Sequence, residues 1–469
     1  MNLIDKIKSN KLIKSSLVYT ICEMLLKGIS FISFPIFSRL MSPNDYGVVN
    51  IFSTWVGFIV VFGSLQLNAC IPIAKSKFED SEYEDLKTTI LSFTTVLFFI
   101  LFLISIIFRK NLSHIFELSG NLVILMTVQG FFSFISVLYS TILIQDKKDK
   151  KYLMISLIST ILNIGISILL VYIMRDNRYM GRILGGVISV VLVGSILYFK
   201  IAKGKFLINK DLLKFGLKIC LPIVPHILSH QILTNSDRIM LKSFKGDRAV
   251  GIYGFAYNIG MMIQIIWSAI NNAWVPWYFE NLRKDNNDKV LELSRNYIMF
   301  FTAITILLIF TTPEIGKILA PKSYWSGIQV VPLIIFSYFF VFLYSFPVNI
   351  QFYNEKTNYI PIGTVLAALA NIGLNRLFIP KYGLLAATLS TLISYILLFI
   401  FHLLIVKHLL KHKDMCIKYY LISTIVVVIA IILFYITMNN LICRYFILFI
   451  LVLYVYLKRE RFKELIKIK

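Results

Sequence analysis

The sequence predicts an all-α polytopic membrane protein of about 14 transmembrane helices: two parallel six-helix repeats followed by two further C-terminal helices. Three observations predict it. Hydrophobic residues make up 58% of the chain and charged residues only 15%, against roughly a quarter charged in soluble globular domains. Apolar runs of about 17–25 residues recur along the whole length, and each can span a bilayer as a helix. Lysine and arginine gather in alternate loops, as the positive-inside rule demands. A β-barrel would instead show alternating segments of about ten residues.

The spans follow in order. The first six are 15–38, 48–73, 88–108, 121–144, 152–174 and 180–199, and they make an N-terminal lobe over 1–205. The next six are 215–235, 250–278, 295–315, 327–350, 359–378 and 383–406, in a second lobe over 206–410. The last two are 418–438 and 441–457, which with a basic cytoplasmic tail occupy 411–469. No connection exceeds roughly 16 residues, which leaves no room for an extramembrane domain. The first apolar run is too long for a signal-peptide core and lacks a small-residue cleavage site.

With the N-terminus in the cytoplasm, the segments 1–14, 74–87, 145–151, 200–214, 279–294, 351–358, 407–417 and 458–469 lie inside. With Arg295 and Lys418 at their borders they hold about 31 of the 48 lysines and arginines. Both termini are then cytoplasmic. The net charge of +24 therefore reports orientation rather than nucleic-acid binding. KDKK and the KRERFKELIKIK tail read as solvated faces touching anionic lipid. Cys22, Cys70, Cys220, Cys416 and Cys443 are odd in number and fit no disulfide or zinc framework.

The two halves look related. Ser38-Arg39-Leu40-Met41 is followed by YGVVNIF, and Asp237-Arg238-Ile239-Met240 by VGIYGF. Asn163-Ile164-Gly165 precedes Tyr179-Met180-Gly181, and Asn371-Ile372-Gly373 precedes Tyr382-Gly383. Both pairs fall at matching span numbers and at similar offsets. Spans one and seven run the same way, so the repeat is parallel, with a pseudo-axis along the membrane normal.

Polar residues mark one face of several spans. In the first, Ser16, Thr20, Glu23, Lys27 and Ser30 recur at helical spacing. Facing lipid, Glu23 and Lys27 would each cost at least about 2.5 kcal/mol, so the stripe faces protein or a wet cavity. Span seven carries Lys218, His226, His230, Thr234 and Asp237, and Pro222 and Pro225 break helical bonding just before His226. Span eight adds Gln264, Ser268, Asn271 and Asn272. Cations suit an anionic group and amides suit sugar hydroxyls. The structural alternative is that Glu23 and Lys27 pair with each other as interhelical glue. Asn163 and Asn371 suit helix packing, with Gly165 and Gly373 allowing close approach. Arg39 and Arg238 sit at span ends, where arginines also snorkel. Trp267, Trp274, Trp277 and Trp325 fit in part as interface aromatics. His226 and His230 have no third metal ligand nearby, and His408 and His412 read as solvated.

The stretches SRLMSPNDYGVVNIF, SDRIMLKSFKGDRAVGIYGFAYNIG and LANIGLNRLFIPKYGLLAATLST resemble, as an ordered set, the Wzx-type flippases. These are the polysaccharide-transport branch of the multidrug/oligosaccharidyl-lipid/polysaccharide (MOP) exporter superfamily. The resemblance implies a V-shaped transporter of twelve core helices. It implies translocation of an undecaprenyl-diphosphate-linked oligosaccharide to the outer leaflet, for O-antigen or capsule synthesis, by alternating access. It places a cationic cavity near Lys27 and His226, and two extra helices flanking a groove for the prenyl tail.

The substrate-cavity candidates are therefore Glu23, Lys27, Arg39, His226, His230, Arg238, Gln264, Asn271 and Asn272. No nucleotide motif appears, so the expected energy source is an H+ or Na+ gradient or the membrane potential, with Glu23 and Asp237 as ion-coupling candidates and no other cofactor. Expected partners are the lipid-linked glycan, membrane lipids and a polysaccharide polymerase with its chain-length regulator. Small-molecule efflux, which would favour an acidic cavity, is a competing reading. A scaffold for envelope glycan assembly is another. An enzyme would need a sizeable external loop, and none is present.

Overall fold

A computed structural model describes residues 33–411 and 415–466. Glu23, Lys27, Cys22 and His412 lie outside the described residues. Helix follows helix: α1 (Pro43–Ser64), α2 (Ile71–Lys77), α3 (Asp80–Ile107), α4 (Arg109–Phe116), α5 (Gly120–Gln145), α6 (Asp149–Ile173), α7 (Arg178–Ala202), α8 (Lys210–Cys220) and α9 (Val224–Gly260). Then come α10 (Met262–Arg283), α11 (Asn287–Leu319), α12 (Val331–Tyr353), α13 (Tyr359–Tyr382), α14 (Leu384–Leu404), α15 (Ile417–Thr437), α16 (Leu441–Leu457) and α17 (Arg459–Ile466). The chain is an all-α polytopic membrane protein. Among the described residues, 11 helical segments are long and apolar enough to cross a membrane. One of them, Lys210–Arg283, runs through three helices, and α16 is a shorter apolar helix. Helices dominate because hydrocarbon cannot satisfy a free backbone donor or acceptor.

Local signals explain the breaks. α1 starts on a capping box: the Ser42 hydroxyl accepts from the Asp45 amide, the Asp45 carboxylate accepts from the Ser42 amide, and Pro43 fills the first turn. α8 gives way to a single 3-10 turn over Leu221–Ile223 at Pro222. α9 bends at Gly246, whose φ of 78° only glycine adopts freely.

The chain divides into two compact units, Met1–Gly251 and Ile252–Lys469. In the first, loops gather at two separate ends. At one end Lys75 meets Asp80 at 3.1 Å, Lys203 meets Glu84 at 2.8 Å, and the Asn209 amide donates to Thr89 Oγ1 at 3.3 Å. At the other, Arg109 donates to Asn121, Ser243 to Glu117 and Arg178 to the Leu40 carbonyl. Successive helices thus run up and down, in the alternation that the lysine distribution predicts. The apolar core between the ends includes Leu67, Tyr83, Ile90, Phe134 and Leu138.

Two helix starts meet at the second end. A Cβ on Gly47 would drive into the Asp247 carbonyl, and a Cβ on Gly251 into the Pro43 carbonyl. Pro43 to Asp247 and Gly47 to Gly251 are the same distance apart in the sequence, so the contact is reciprocal between the two repeated motifs. Close approach elsewhere belongs to other glycines than expected. Gly165 and Gly373 are exposed, and a Cβ on either would meet nothing within 4 Å among the described residues. The α6–α7 contact instead uses Gly181, where a Cβ would lie 2.7 Å from the Leu170 carbonyl carbon, and Gly185 against Ser167. The glycines beside Asn163 and Asn371 sit on the opposite face of the helix from the packing seam.

The second unit has an aromatic core. Trp274 is 5.0 Å from Tyr297 by ring centroids, Tyr297 is 5.0 Å from Phe342, and Phe342 is 4.1 Å from Phe301. Trp274 and Trp277 are buried, so they are core residues and not the interface aromatics their span position suggested. Their rings outnumber what one helix face can hold, and neighbouring helices cover them. At one end the Tyr435 hydroxyl donates to the Gln329 carbonyl at 2.7 Å and the Trp325 indole to the Ala320 carbonyl at 2.9 Å.

Candidate functional site

In the first unit, the polar residues of α9 form a ladder. The ladder starts where proline removes the helical donors, at Pro222 and Pro225. His226 is half-buried, and its Nδ1 is shielded with no hydrogen-bond partner among the described residues. His230 lies one turn on and is exposed. The Asn235 amide donates to Gln231 Oε1 at 2.8 Å and to Thr234 Oγ1 at 3.0 Å, and Thr234 donates to the His230 carbonyl at 2.9 Å. α1 approaches this ladder at Gly57, where a Cβ would lie 3.6 Å from both ends of the Gln231 amide. Asp237 is fully buried and accepts from the Arg238 amide at 2.8 Å. The Arg238 guanidinium reaches back to Asn235 Oδ1 at 3.4 Å. A Lys242–Asp247 ion pair closes the end. From His226 to Arg238 the ladder rises about 18 Å, more than half the hydrocarbon thickness.

Arg39 is exposed and donates to its own helix, to the Pro35 carbonyl at 2.9 Å.

A second polar cluster joins α6 and α7, and sequence reasoning missed its centre. Arg182 Nη1 donates to Asn163 Oδ1 at 2.9 Å and to Ser167 Oγ at 2.6 Å. Its guanidinium lies 4.5 Å from the Phe37 ring centroid. The signal was present: Asn163 and Ser167 are one helical turn apart, and so are Arg178 and Arg182. The second unit repeats the theme with amides and a hydroxyl. Asn375 donates to Asn371 Oδ1 at 2.9 Å, and Asn371 donates to Thr391 Oγ1 at 3.4 Å. Asn163 with Ser167, and Asn371 with Asn375, hold equivalent registers. Both asparagines bond to the neighbouring helix.

In the second unit, Gln264, Asn271 and Asn272 lie along α10. Gln264 and Asn271 are half-buried, Asn272 is exposed, and Asn271 Oδ1 and Trp267 Nε1 are shielded with no hydrogen-bond partner among the described residues. Two intramembrane groups here were not anticipated. His402 is fully buried on α14, with its Nδ1 2.8 Å from Gln351 Nε2 and 3.2 Å from Gln351 Oε1. Arg444 on α16 grips Glu314 on α11 through two bonds of 2.7 and 2.8 Å and also donates to the Phe310 carbonyl at 2.9 Å.

These groups are hydrogen-bond donors and acceptors held on helices. The α9 ladder offers imidazoles, amides and a guanidinium in turn, and α10 offers amides.

Comparison with known proteins adds to this geometry. The model of a family described as polysaccharide biosynthesis protein matches residues 12–282. An uncharacterized membrane protein of Haemophilus influenzae is 25% identical over 377 residues, which is 77% of this chain and 89% of that one. An uncharacterized membrane protein of Methanocaldococcus jannaschii is 23% identical over 444 residues, 83% of this chain and 85% of that one. Among solved structures, the chain is similar to the lipid II flippase MurJ in an inward closed conformation. The TM-score is 0.74 at 17% identity, over 95% of this chain and 99% of that one. It is also similar to an inward-facing multidrug resistance MATE family transporter of the MOP superfamily, with a TM-score of 0.63 at 14% identity, over 83% of this chain and 96% of that one. The fold is that of MOP-superfamily transporters.

Proposed function

The chain belongs to the polysaccharide biosynthesis protein family, and from that membership we propose that it is a flippase for lipid-linked glycans. Its substrate is an undecaprenyl-diphosphate-linked oligosaccharide, moved from the cytoplasmic to the outer leaflet of the bacterial inner membrane. The protein is a transporter and not an enzyme. The observation that carries the reading is the polar ladder from His226 to Arg238 along α9, in a flippase-like fold. Moving a charged, sugar-bearing headgroup through hydrocarbon requires a polar path, because each unpaired polar group otherwise costs several kcal/mol. The prenyl tail stays in lipid while the headgroup follows the path.

On this reading His226 and Lys27 are the cationic contacts for the diphosphate. Arg39 and Arg238 guard the outer end, and His230, Gln264, Asn271 and Asn272 contact sugar hydroxyls. Alternating access exposes the path to each side in turn, with the repeats 1–205 and 206–410 as the moving parts and 411–469 beside the tail. Glu23 and Asp237 carry the coupling ion, H+ or Na+, or respond to the membrane potential. Both termini are cytoplasmic. A polymerase and chain-length regulator receive the flipped glycan.

The test is leaflet assignment of lipid-linked oligosaccharide in cells lacking the protein. The expected result is accumulation in the cytoplasmic leaflet with loss of surface glycan. Normal surface glycan defeats the proposal. A second arm replaces Asp237 and Glu23 with their amides, which is expected to remove any ion dependence of transport; unchanged dependence removes both from the mechanism.

A further inference from the structure

At the lysine-rich end of the first unit, four helices frame a cavity of about 370 Å3. Its wall comes from the first turns of α3 and α6 and the last turns of α5 and α7. Five lysines line it: Lys87, Lys148, Lys151, Lys200 and Lys203. Among the described residues only two carboxylates, Glu84 and Asp146, share the wall, which leaves these side chains a net charge of plus three.

The carboxylates are already engaged. Glu84 takes Lys87 at 2.5 Å and Lys203 at 2.8 Å, and Asp146 takes Lys148 at 2.7 Å. The bond to Asp146 holds the Lys148 ammonium above its ordinary range, so that lysine stays charged at any cellular pH. Lys87 is itself buried, with 7% of its side chain exposed. Its position is therefore built in, not a chance surface placement. Lys151 and Lys200 are exposed, and neither has a carboxylate within 4.0 Å among the described residues. These two cations point to an external anion.

Apart from Tyr139, the remaining wall is apolar. Ile142 and Ile155 lie within it, and Met154, 57% exposed, sits beside the lysines on the outward face of α6. A cavity that is cationic at its mouth and apolar at its lip, at the end of transmembrane helices, matches an amphiphile with an anionic head.

We infer that this cavity binds the phosphodiester headgroup of an anionic membrane phospholipid, with Lys151 and Lys200 on the phosphate and the acyl chains lying against Met154. The site shares no lining residue with the α9 ladder and does not depend on the transport reading. Its chemistry is that of a phosphate anion, and a free phosphate in solution is the other source to distinguish.

The test uses the full-length purified protein in mixed micelles. Thermal stability is followed as phosphatidylglycerol replaces phosphatidylcholine, for the wild type and for the exposed double variant Lys151→Gln/Lys200→Gln. The wild type is expected to be stabilised by phosphatidylglycerol. The double variant is expected to match it in phosphatidylcholine and to need about 30-fold more phosphatidylglycerol for half the effect. A third arm adds glycerol phosphate to phosphatidylcholine micelles. Stabilisation there, lost in the double variant, assigns the site to a soluble phosphate and overturns the lipid. Equal response to both lipids, or a full response in the double variant, overturns the site itself.

Discussion

The most exposed prediction concerns how the last membrane helix is held. α16 buries only Arg444 and Leu448. Its remaining face carries Ile442 and Phe446, which are exposed. Arg444 makes a two-pronged bond to Glu314 and a third to the Phe310 carbonyl. That carbonyl is one residue from the one Pro313 leaves without its helical donor. Replacing Arg444 with leucine keeps the volume and strands the carboxylate. Breaking a fully buried pair costs about 3–5 kcal/mol. Arg444 is 3% exposed but Glu314 is 27% exposed, so water and a proton can relieve the orphaned acid, and about 2–3 kcal/mol is expected. The double variant Arg444→Leu/Glu314→Leu removes both charges and is expected to recover to within about 1 kcal/mol of the wild type. The assay is a double-mutant cycle on reversible unfolding in mixed micelles, with proteolysis of the C-terminal segment as a second readout. A single variant within about 0.5 kcal/mol of wild type, or a coupling energy below about 0.5 kcal/mol, refutes the reasoning.

Three further predictions follow. Gly251→Ala and Gly47→Ala are each expected to destabilise by about 1–3 kcal/mol through backbone overlap, while Gly165→Ala and Gly373→Ala, with open space around them, are expected to be neutral or to stabilise slightly; thermal midpoints in detergent decide. Arg182→Met leaves Asn163 and Ser167 without their shared donor and is expected to cost about 1–3 kcal/mol, whereas Arg182→Lys recovers part of it; equal stability of wild type and Arg182→Met denies the cluster a structural role. Burial pushes the Cys416 thiol up to about 11. In a single-cysteine protein it is therefore expected to alkylate at pH 8 about 100-fold more slowly than a cysteine placed at the exposed Lys411. The neutral thiol favours the folded state, so its contribution is intact below the ordinary thiol range and fades as pH rises through 11; pH 6–8 is flat for this group. Rapid labelling of Cys416 contradicts its burial.

By itself, the sequence determined the helices, their capacity to span a membrane and their alternation. Those follow from local quantities: run length against bilayer thickness, and lysine counts in short loops. It also marked the helix break at Pro222, because proline acts on its own backbone, and it marked the paired motifs around Gly47 and Gly251. Only tertiary structure decided what each polar or small residue faces. Periodicity puts Asn163 and Gly165 on one helix, but it could not say that Asn163 meets Arg182 while Gly165 meets nothing. It could not pair Glu314 with Arg444, which a long stretch of chain separates, nor show that Trp274 lies within an aromatic core. A helix face is written in the sequence that forms it; the partner across that face is chosen by packing among distant segments, where distance along the chain carries no information.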